Sequence, residues 1–539
     1  MTSSPADASI DTRGAPPVRG AAPGWKRLAP ALLPWLLLVG AGLYGVRFGA
    51  HWDEDKQIEA LERAVEAGRL LPEWYNYPSM CFWLTCASLA PELVELAVLR
   101  ERAYTRVGYP KTRAELLGTV RSSAFRHRVR CVFVLAGSLL VLWTYLAVAA
   151  RRTPLEALCA ATLLAGSWEI GYHLRWIAPD VIVAQFAALW LLLLSLAQRA
   201  GAGRTARRWL LAAAACAGAA ASTKYPAGLL LVPVLGIAWR AASGARARLL
   251  AQCLGLFAAT YLLITPGTLL EPVQFYQGLR YERWHYTELG HYGFTVEPGL
   301  DHYGRMLYYL GRELLSPFDA AALLWAALAA LGLAALLRRD AAGAAWLFLA
   351  FPLLYLLYFG STRVLFVRNL LVLAPFLAIL AARGAFQALG AVRPRWARIS
   401  LGSALAALVA AGLVFQAHAA WTIRQRGSDR WFLELADYLR AHPSERFHLA
   451  PKVAAAFARL EVELPNTTGA TGDDGTAVDA LVIFGSEGKR RGGMQSNRPG
   501  FARALFGPRD VNFPWYTPWP QRPILVVDPG VAREMGIVE

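Results

Sequence analysis

Three carboxylates in a row, Asp53, Glu54 and Asp55, directly follow an uncharged stretch of membrane length over residues 28–46. A carboxylate set against a hydrocarbon boundary can take the proton of an attacking hydroxyl or amine, although as an isolated tripeptide the same residues read as a solvated helix end. Basic residues recur at other apolar ends: Arg175 with Asp180 in RWIAPD, Lys224 with Tyr225 in STKYP, and Arg363 and Arg368 ahead of Asn369. Lysine and arginine in such places can hold a phosphate that gathers charge as it departs. Acids and bases at one membrane face suit transfer from a lipid-linked phosphate donor whose tail stays in the bilayer.

The elements that must bring these residues together are apolar. Of 539 residues, 56% are hydrophobic and only 17% charged, and uncharged runs able to cross about 30 Å of hydrocarbon recur along the chain. Spans are expected over 28–46, 131–150, 155–174, 181–198, 209–223, 225–239, 249–268, 319–337, 342–360, 369–390 and 399–420. One set of connecting loops carries fourteen basic residues, Arg151, Arg152, Arg199 and Arg204 among them, and the short loops of the other set carry four. Those four are Arg175, Lys224, Arg363 and Arg368. By the positive-inside rule the first set is cytoplasmic. The N-terminus then lies inside, and the residues that could do chemistry lie outside.

Residues 209–223 and 225–239 each extend only about 22 Å at 1.5 Å per residue. They read as a hairpin whose tip, carrying Lys224, lies below the outer surface. A lysine at that depth faces a wet cavity or an anion, or else merely snorkels. Residues 79–99 are apolar but interrupted by Pro91, Glu92 and Glu95, so they read as an amphipathic segment lying along the interface. This leaves 100–130, with nine basic residues, in a long first outer loop, and long loops obey the charge rule poorly. A second outer loop, 269–318, is long enough to act as a lid or binding surface.

The domain reading is a disordered cytoplasmic tail over 1–27, a transmembrane domain over 28–420, and a soluble extracytoplasmic domain over 421–539. In the last, helical pattern over 429–441 and 451–460 precedes strand-like runs at 480–484 and 523–528, which suits a small α/β unit. Asn466-Thr467-Thr468 forms a glycosylation sequon there. Lys26 and Arg27 precede the first span with no small-residue cleavage site after it, so it reads as an uncleaved anchor.

The net charge of +17 would suit a nucleic-acid backbone. The arginines, however, sit in short clusters between apolar runs, the pattern of orientation signals, and nucleic acid is excluded as a partner. Six cysteines end at Cys253 and show no metal-ligand spacing; His285, His291 and His302 show none either. No cofactor is implied. A divalent metal remains compatible with the chemistry but is not called for, since cationic side chains are available for the phosphate.

On these motifs the chain resembles the polytopic glycosyltransferases of the GT-C fold class, on the branch of the protein O-mannosyltransferases and bacterial aminoarabinose transferases. The resemblance runs over roughly residues 28–420 and rests on five elements in the family's order. HWDED matches its acidic motif after the first span; YNYPSM (75–80), with Tyr77, matches a tyrosine-proline element leading into an interfacial helix. RWIAPD matches the opening of the second outer loop, KYP (224–226) a turn, and VRNLLVLAPFLAIL, loosely, the entry to a late span. The resemblance implies an all-α polytopic fold of about eleven spans. It implies Asp53 as the general base that activates the acceptor, with Glu54 beside it and Asp55 a second candidate for the same role. Asp180 would orient acceptor or ligand, and Lys224 and Arg368 would face the donor phosphate. Tyr77, Arg175, Tyr225 and Arg363 complete the expected substrate-binding set. The basic insertion at 100–128 departs from the family. The C-terminal region does not match the domain that O-mannosyltransferases insert between spans, so a protein acceptor is not implied.

The expectation is therefore a multi-pass protein of a bacterial inner or plasma membrane. It would move a sugar from a polyprenyl-phosphate donor to a glycan, lipid or protein acceptor on the extracytoplasmic face, with inversion, among membrane lipids. Two other classes stay open: a flippase or transporter of lipid-linked saccharides, and a non-catalytic assembly subunit on the same fold. Against transport, the chain shows no inverted repeat, and its acids lie in loops rather than mid-span.

Overall fold

A computed structural model describes residues 28–48, 54–99, 108–201, 203–240, 243–291, 294–339, 344–425, 428–460, 462–468, 479–484, 504–506 and 524–530. Apolar helices dominate it. The first, α1 (Ala29–Tyr44), holds Pro30 in its opening turn, where a missing N–H is tolerated. The amphipathic α2 (Glu54–Ala67) begins on two acids, which suit the positive end of the helix dipole. Residues 79–99 form no straight helix: α3 (Met80–Ala87) and α4 (Ala90–Leu99) meet at a bend of 56°. Next, α5 (Tyr109–Arg121) leads into α6 (Ser123–Ala149), whose N-cap Ser122 Oγ accepts from the Phe125 N–H at 3.1 Å.

The basic segment ahead of the second span finds carboxylates on these helices. Arg121 pairs with Glu62 at 3.5 Å and Glu66 at 3.1 Å, and Arg126 with Asp55 at 2.8 Å. Arg128 makes a two-pronged pair with Glu92, both hydrogen bonds 2.7 Å. Its charge thus stitches α2 and α4 to α5 and α6.

The single helix expected over 155–174 is broken. α7 (Pro154–Ala165) stops at Gly166, and Ser167 starts a short helix, α8 (Trp168–His173). Ser167 Oγ accepts from the Ile170 N–H at 3.3 Å and donates to the Leu314 carbonyl at 2.6 Å. A capping serine followed by an acid outweighs the apolar flanks. The chain then enters α9 (Pro179–Arg199) through extended Ala178, with Pro179 and Asp180 in the first turn. α9 is the core of the bundle, with most of its residues buried.

The alanine-rich α10 (Arg204–Ala221) packs between α9 and α12 (Ser243–Ile264), after a turn at 222–224, a 3-10 stretch Tyr225–Leu230 and α11 (Leu231–Trp239). Three shorter helices, α13 (Gly267–Leu270), α14 (Pro272–Trp284) and α15 (Leu300–Tyr308), occupy the loop expected over 269–318. Four longer elements complete the apolar part: α16 (Asp319–Arg339), α17 (Ala344–Gly360), α18 (Ala374–Ala391, entered through a 3-10 turn Val367–Leu373) and α19 (Arg395–Gln425). α16 and α18 touch through their backbones: a Cβ on Gly332 would overlap the Leu380 carbonyl, and one on Gly384 the Leu328 carbonyl. Among the described residues six helices are long and apolar enough to cross a membrane, and four further apolar helices run 10–17 residues. The chain is an integral multi-pass membrane protein.

Beyond α19 the apolar core gives way to a separate one. Helices α20 (Ser428–Ala441) and α21 (Pro451–Arg459) pack on a five-stranded mixed sheet of order β2-β1-β3-β5-β4. Its strands are β1 (Phe447–Leu449), β2 (Thr467–Thr468), β3 (Ala480–Phe484), β4 (Ala504–Phe506) and β5 (Ile524–Val527). The sequon residue Asn466 is already in use: its side-chain Nδ2 donates to the carbonyls of Leu439 at 2.9 Å, His442 at 3.1 Å and Glu445 at 3.3 Å, closing the C-terminal end of α20.

Candidate active site

Three stretches far apart in sequence meet where α9 begins. Asp180 sits in the first turn of α9, Lys224 at the turn after α10, and Arg368 and Asn369 in the 3-10 entry to α18. Lys224 Nζ donates to Asp180 Oδ1 at 2.7 Å and to Asn369 Oδ1 at 2.9 Å. All four residues are buried, none more than 7% exposed. Arg368 lies over the rings of Phe366, at 4.6 Å, and Trp176, at 5.9 Å, within electrostatic reach of Asp180. The short hairpin explains the lysine's depth: its tip stops inside the bundle, and the buried cation is matched by a carboxylate. Tyr355 Oη holds the Asn369 carbonyl at 2.7 Å, fixing the 3-10 turn that presents Arg368.

Among the described residues, Nδ1 of buried His173 has no hydrogen-bond partner, while the Asn369 side chain also reaches Tyr286. The other ring nitrogen of His173, on α8, meets Glu169 Oε2 at 3.0 Å. An orphaned buried polar atom costs on the order of 1–3 kcal/mol, and such groups in native folds call for an occupant or a role. His173 is a residue that sequence reasoning missed, because it was read as part of a continuous third span.

Asp53 lies outside the described residues, but both its flanks are anchored. Glu54, fully buried, accepts from Arg130 Nε at 2.9 Å, from Arg130 Nη2 at 2.5 Å and from the Ile177 N–H at 3.2 Å. The same arginine donates to the Val46 carbonyl at 2.7 Å and lies 3.9 Å over the Phe48 ring. Arg130 therefore ties the end of the first span, the start of α2 and the approach to Asp180 into one knot. Sequence reasoning missed it too. The available signal was an arginine opening an apolar run, which demands a partner. Asp55, by contrast, is half exposed and paired with Arg126.

Tyr75 gives the YNYP loop its seat. Its hydroxyl donates to the buried Glu271 at 2.5 Å, and its carbonyl accepts from Tyr225 Oη at 2.7 Å. Burial and then the Glu271 carboxylate push the Tyr75 phenol above its ordinary value, so it stays a neutral donor. Neighbouring Asn76 donates to Glu282 at 2.9 Å, and Tyr77 packs edge-on against Trp74 at 5.7 Å. A Cβ on Gly267 would overlap the Tyr75 ring. Gly267→Ala is expected to unseat Tyr75 and lower stability by about 1–3 kcal/mol, read as a fall in the thermal midpoint of the detergent-purified protein; an unchanged midpoint would show the ring free to move aside.

The remaining expected residues sit differently. Arg175, 1% exposed, donates to the carbonyls of Gly171 and, at 3.1 Å, Ala41, bracing α1 on α8; none of its described contacts is to Asp180, Lys224 or Arg368. Arg363 clips two loops together, donating to Glu297 and, at 3.1 Å, to the Glu288 carbonyl, while its own N–H donates to the Tyr286 carbonyl at 2.7 Å. His285 and His291 contact each other at 3.2 Å, and His302 is buried against the Val296 carbonyl. Among the described residues no three His, Cys, Asp or Glu side chains gather as metal ligands.

Comparison with known proteins adds three findings. Residues 121–269 match the family model described as dolichyl-phosphate-mannose-protein mannosyltransferase. The apo oligosaccharyltransferase of Archaeoglobus fulgidus superposes with a TM-score of 0.51 at 11% identity, over 87% of this chain and 71% of that one. Apo ArnT from Cupriavidus metallidurans aligns over 94% of this chain and 98% of its own, with a TM-score of 0.49 and 14% identity. No curated protein matches the chain significantly in sequence. Family match, fold and motifs agree: the chain has the GT-C fold and resembles, as its motifs indicate, the membrane glycosyltransferases of the protein O-mannosyltransferase and aminoarabinose transferase branch.

Proposed function

We propose that this protein transfers a sugar from a polyprenyl-phosphate donor to an acceptor hydroxyl or amine, with inversion, at the end of the bundle where α9 begins. That end faces the extracytoplasmic side in the positive-inside reading. The observation that carries the proposal is the convergence of Lys224, Arg368, Asp180 and Asn369, four buried polar residues from three separate segments. The matched family model supplies the donor class, a lipid phosphate carrying a sugar.

In this reading Asp53 takes the acceptor proton, the acceptor oxygen or nitrogen attacks the anomeric carbon from the face opposite the phosphate, and the C–O bond to the phosphate breaks. The electron pair leaves with the lipid phosphate, where Lys224 and Arg368 offset the gathering charge. Asp180 holds Lys224 in place and keeps the empty site near neutral. The Asn369 amide meets a phosphate or sugar oxygen. Glu54 positions the base through Arg130 rather than touching the substrate. No metal ion is required, because two cations already face the phosphate.

The test is a transfer assay on purified protein with radiolabelled polyprenyl-phosphate sugars and membrane extract as acceptor source. Arg368→Gln keeps most of the side-chain volume and should lower turnover about 10²-fold, as loss of one charge-stabilising donor does elsewhere. Wild-type turnover in that variant, or wild-type protein that binds donor without releasing label, would overturn the reading and leave lipid movement across liposomes as the activity to measure.

A further inference from the structure

The short helix α8 carries a buried polar pair with one hydrogen-bonding position left open. His173 Nε2 meets Glu169 Oε2 at 3.0 Å, one turn apart, and both residues are buried. Nδ1 of the same ring is without a hydrogen-bond partner among the described residues. Loose packing does not explain it. The ring stands edge-on to Trp176 at 4.4 Å and beside Tyr172 at 5.1 Å, which is itself stacked on Trp168 at 5.0 Å. α8 as a whole is held from several sides. Arg175 donates both to its Gly171 carbonyl and to the Ala41 carbonyl of α1, Ser167 holds the Leu314 carbonyl, and a Cβ on Gly171 would overlap the Gln416 side chain of α19. A ring fixed by its neighbours in this way keeps its open nitrogen in one place, as a binding group must be kept.

The chemistry of the pair sets what can meet that nitrogen. A carboxylate accepts hydrogen bonds, so Glu169 takes the Nε2 proton and leaves Nδ1 with its lone pair. A phosphodiester oxygen has no proton to give such a lone pair, whereas a hydroxyl has one. A doubly protonated ring would add a third cation to Lys224 and Arg368, both within electrostatic reach. Location narrows the choice further. The site charges that reach the ring are those of Asp180, Arg368 and Lys224, and Arg368 lies 5.9 Å over the same Trp176 ring that the histidine meets. In a sugar phosphate held by those cations, the sugar is one bond from the phosphate.

We infer that Nδ1 of His173 accepts a hydrogen bond from a hydroxyl of the transferred sugar, which makes this histidine a specificity-determining residue for the donor. The inference rests on the glycosyl transfer proposed above. Glu169 is a positioning residue: it fixes the tautomer and orientation of the ring and does not touch the sugar. A sugar lacking the matching hydroxyl leaves the lone pair stranded in a buried place and is transferred poorly.

The experiment measures kcat/KM for the full chain in detergent with polyprenyl-phosphate mannose, polyprenyl-phosphate arabinose, and analogues of each lacking one hydroxyl. For one hydroxyl position, wild-type protein should prefer the complete sugar by at least about tenfold. His173→Gln places an amide nitrogen near the Nε2 position, where it can still donate to Glu169, and removes the acceptor at Nδ1. That preference should then fall below about threefold, with the thermal midpoint little changed. His173→Asn does the reverse: its carbonyl oxygen stays near the Nδ1 position, while Glu169 loses its donor. It should lower the midpoint and yet keep most of the preference. A histidine that only supports the fold would show no such separation of stability from preference. Unaltered preference at every hydroxyl position in folded His173→Gln overturns the inference and leaves the transferase reading standing. So does an equal weakening of polyprenyl phosphate, which carries no sugar, because Nδ1 would then serve the phosphate. Absence of transfer from every donor by wild-type protein is a different result: it removes the transferase reading, and the assignment of His173 with it.

Discussion

Under the proposed function, Asp53→Asn is expected to lower sugar transfer by about 10²–10⁴-fold, the usual effect of removing a positioned general base. The amide keeps the shape of the carboxylate but cannot take the acceptor's proton. Folding should be untouched, because the described residues on either side of it, Phe48 and Glu54, are both held by Arg130. Donor binding should be retained, since Lys224 and Arg368 remain. The control is Asp55→Asn: that carboxylate is 48% exposed and satisfied by Arg126, so its loss should change turnover by less than about threefold. The measurement is single-turnover transfer with both variants beside wild type. If Asp55→Asn is the variant that loses turnover and Asp53→Asn keeps it, the base is Asp55 and the roles of the two neighbours are exchanged.

Glu54→Gln strikes the structure instead of the chemistry. Glu54 and Arg130 are both fully buried and joined by two hydrogen bonds. Removing one partner of such a pair strands the other charge, which typically costs about 3–5 kcal/mol. A marked fall in thermal midpoint should therefore accompany loss of transfer in Glu54→Gln, and Arg130→Met should behave alike. The double variant should regain part of the stability, because no charge is left stranded, yet not the activity, because the segment carrying Asp53 has lost its anchor. Stability falling by the sum of the two single effects in the double variant would show that the residues act independently. Recovered activity in the double variant would show that the knot does not position Asp53.

How much of this was legible beforehand differs from residue to residue. Lys224 was singled out from length: two apolar runs of about 22 Å between arginine-bearing ends suggest a tip below the surface, and the structure buries the lysine against Asp180. Arg368 and Asp180 were marked by position at the ends of apolar runs. Arg130 and Glu54 were not legible as a pair, because 76 residues separate them and nothing local signals which acid an arginine will meet. Tyr75 and Glu271 are 196 residues apart and escaped for the same reason. The break between α7 and α8 had a local signal, Gly166-Ser167 followed by Glu169, which the surrounding hydropathy masked. Arg175 and Arg363 were recognised as special, but their described partners are backbone carbonyls and a loop carboxylate. A pattern that marks a residue as unusual does not say whether it meets a substrate or a neighbour.

The three hydrogen bonds that Asn466 makes to the end of α20 bear on its sequon. Attachment of a glycan consumes the same amide nitrogen that holds this helix closed, so an oligosaccharide can be added only before α20 has docked. Once the C-terminal unit is folded, the acceptor atom is withdrawn. In a host that modifies such sequons, a sugar on Asn466 would be a record of slow folding, and its absence a sign that closure of the helix won the race.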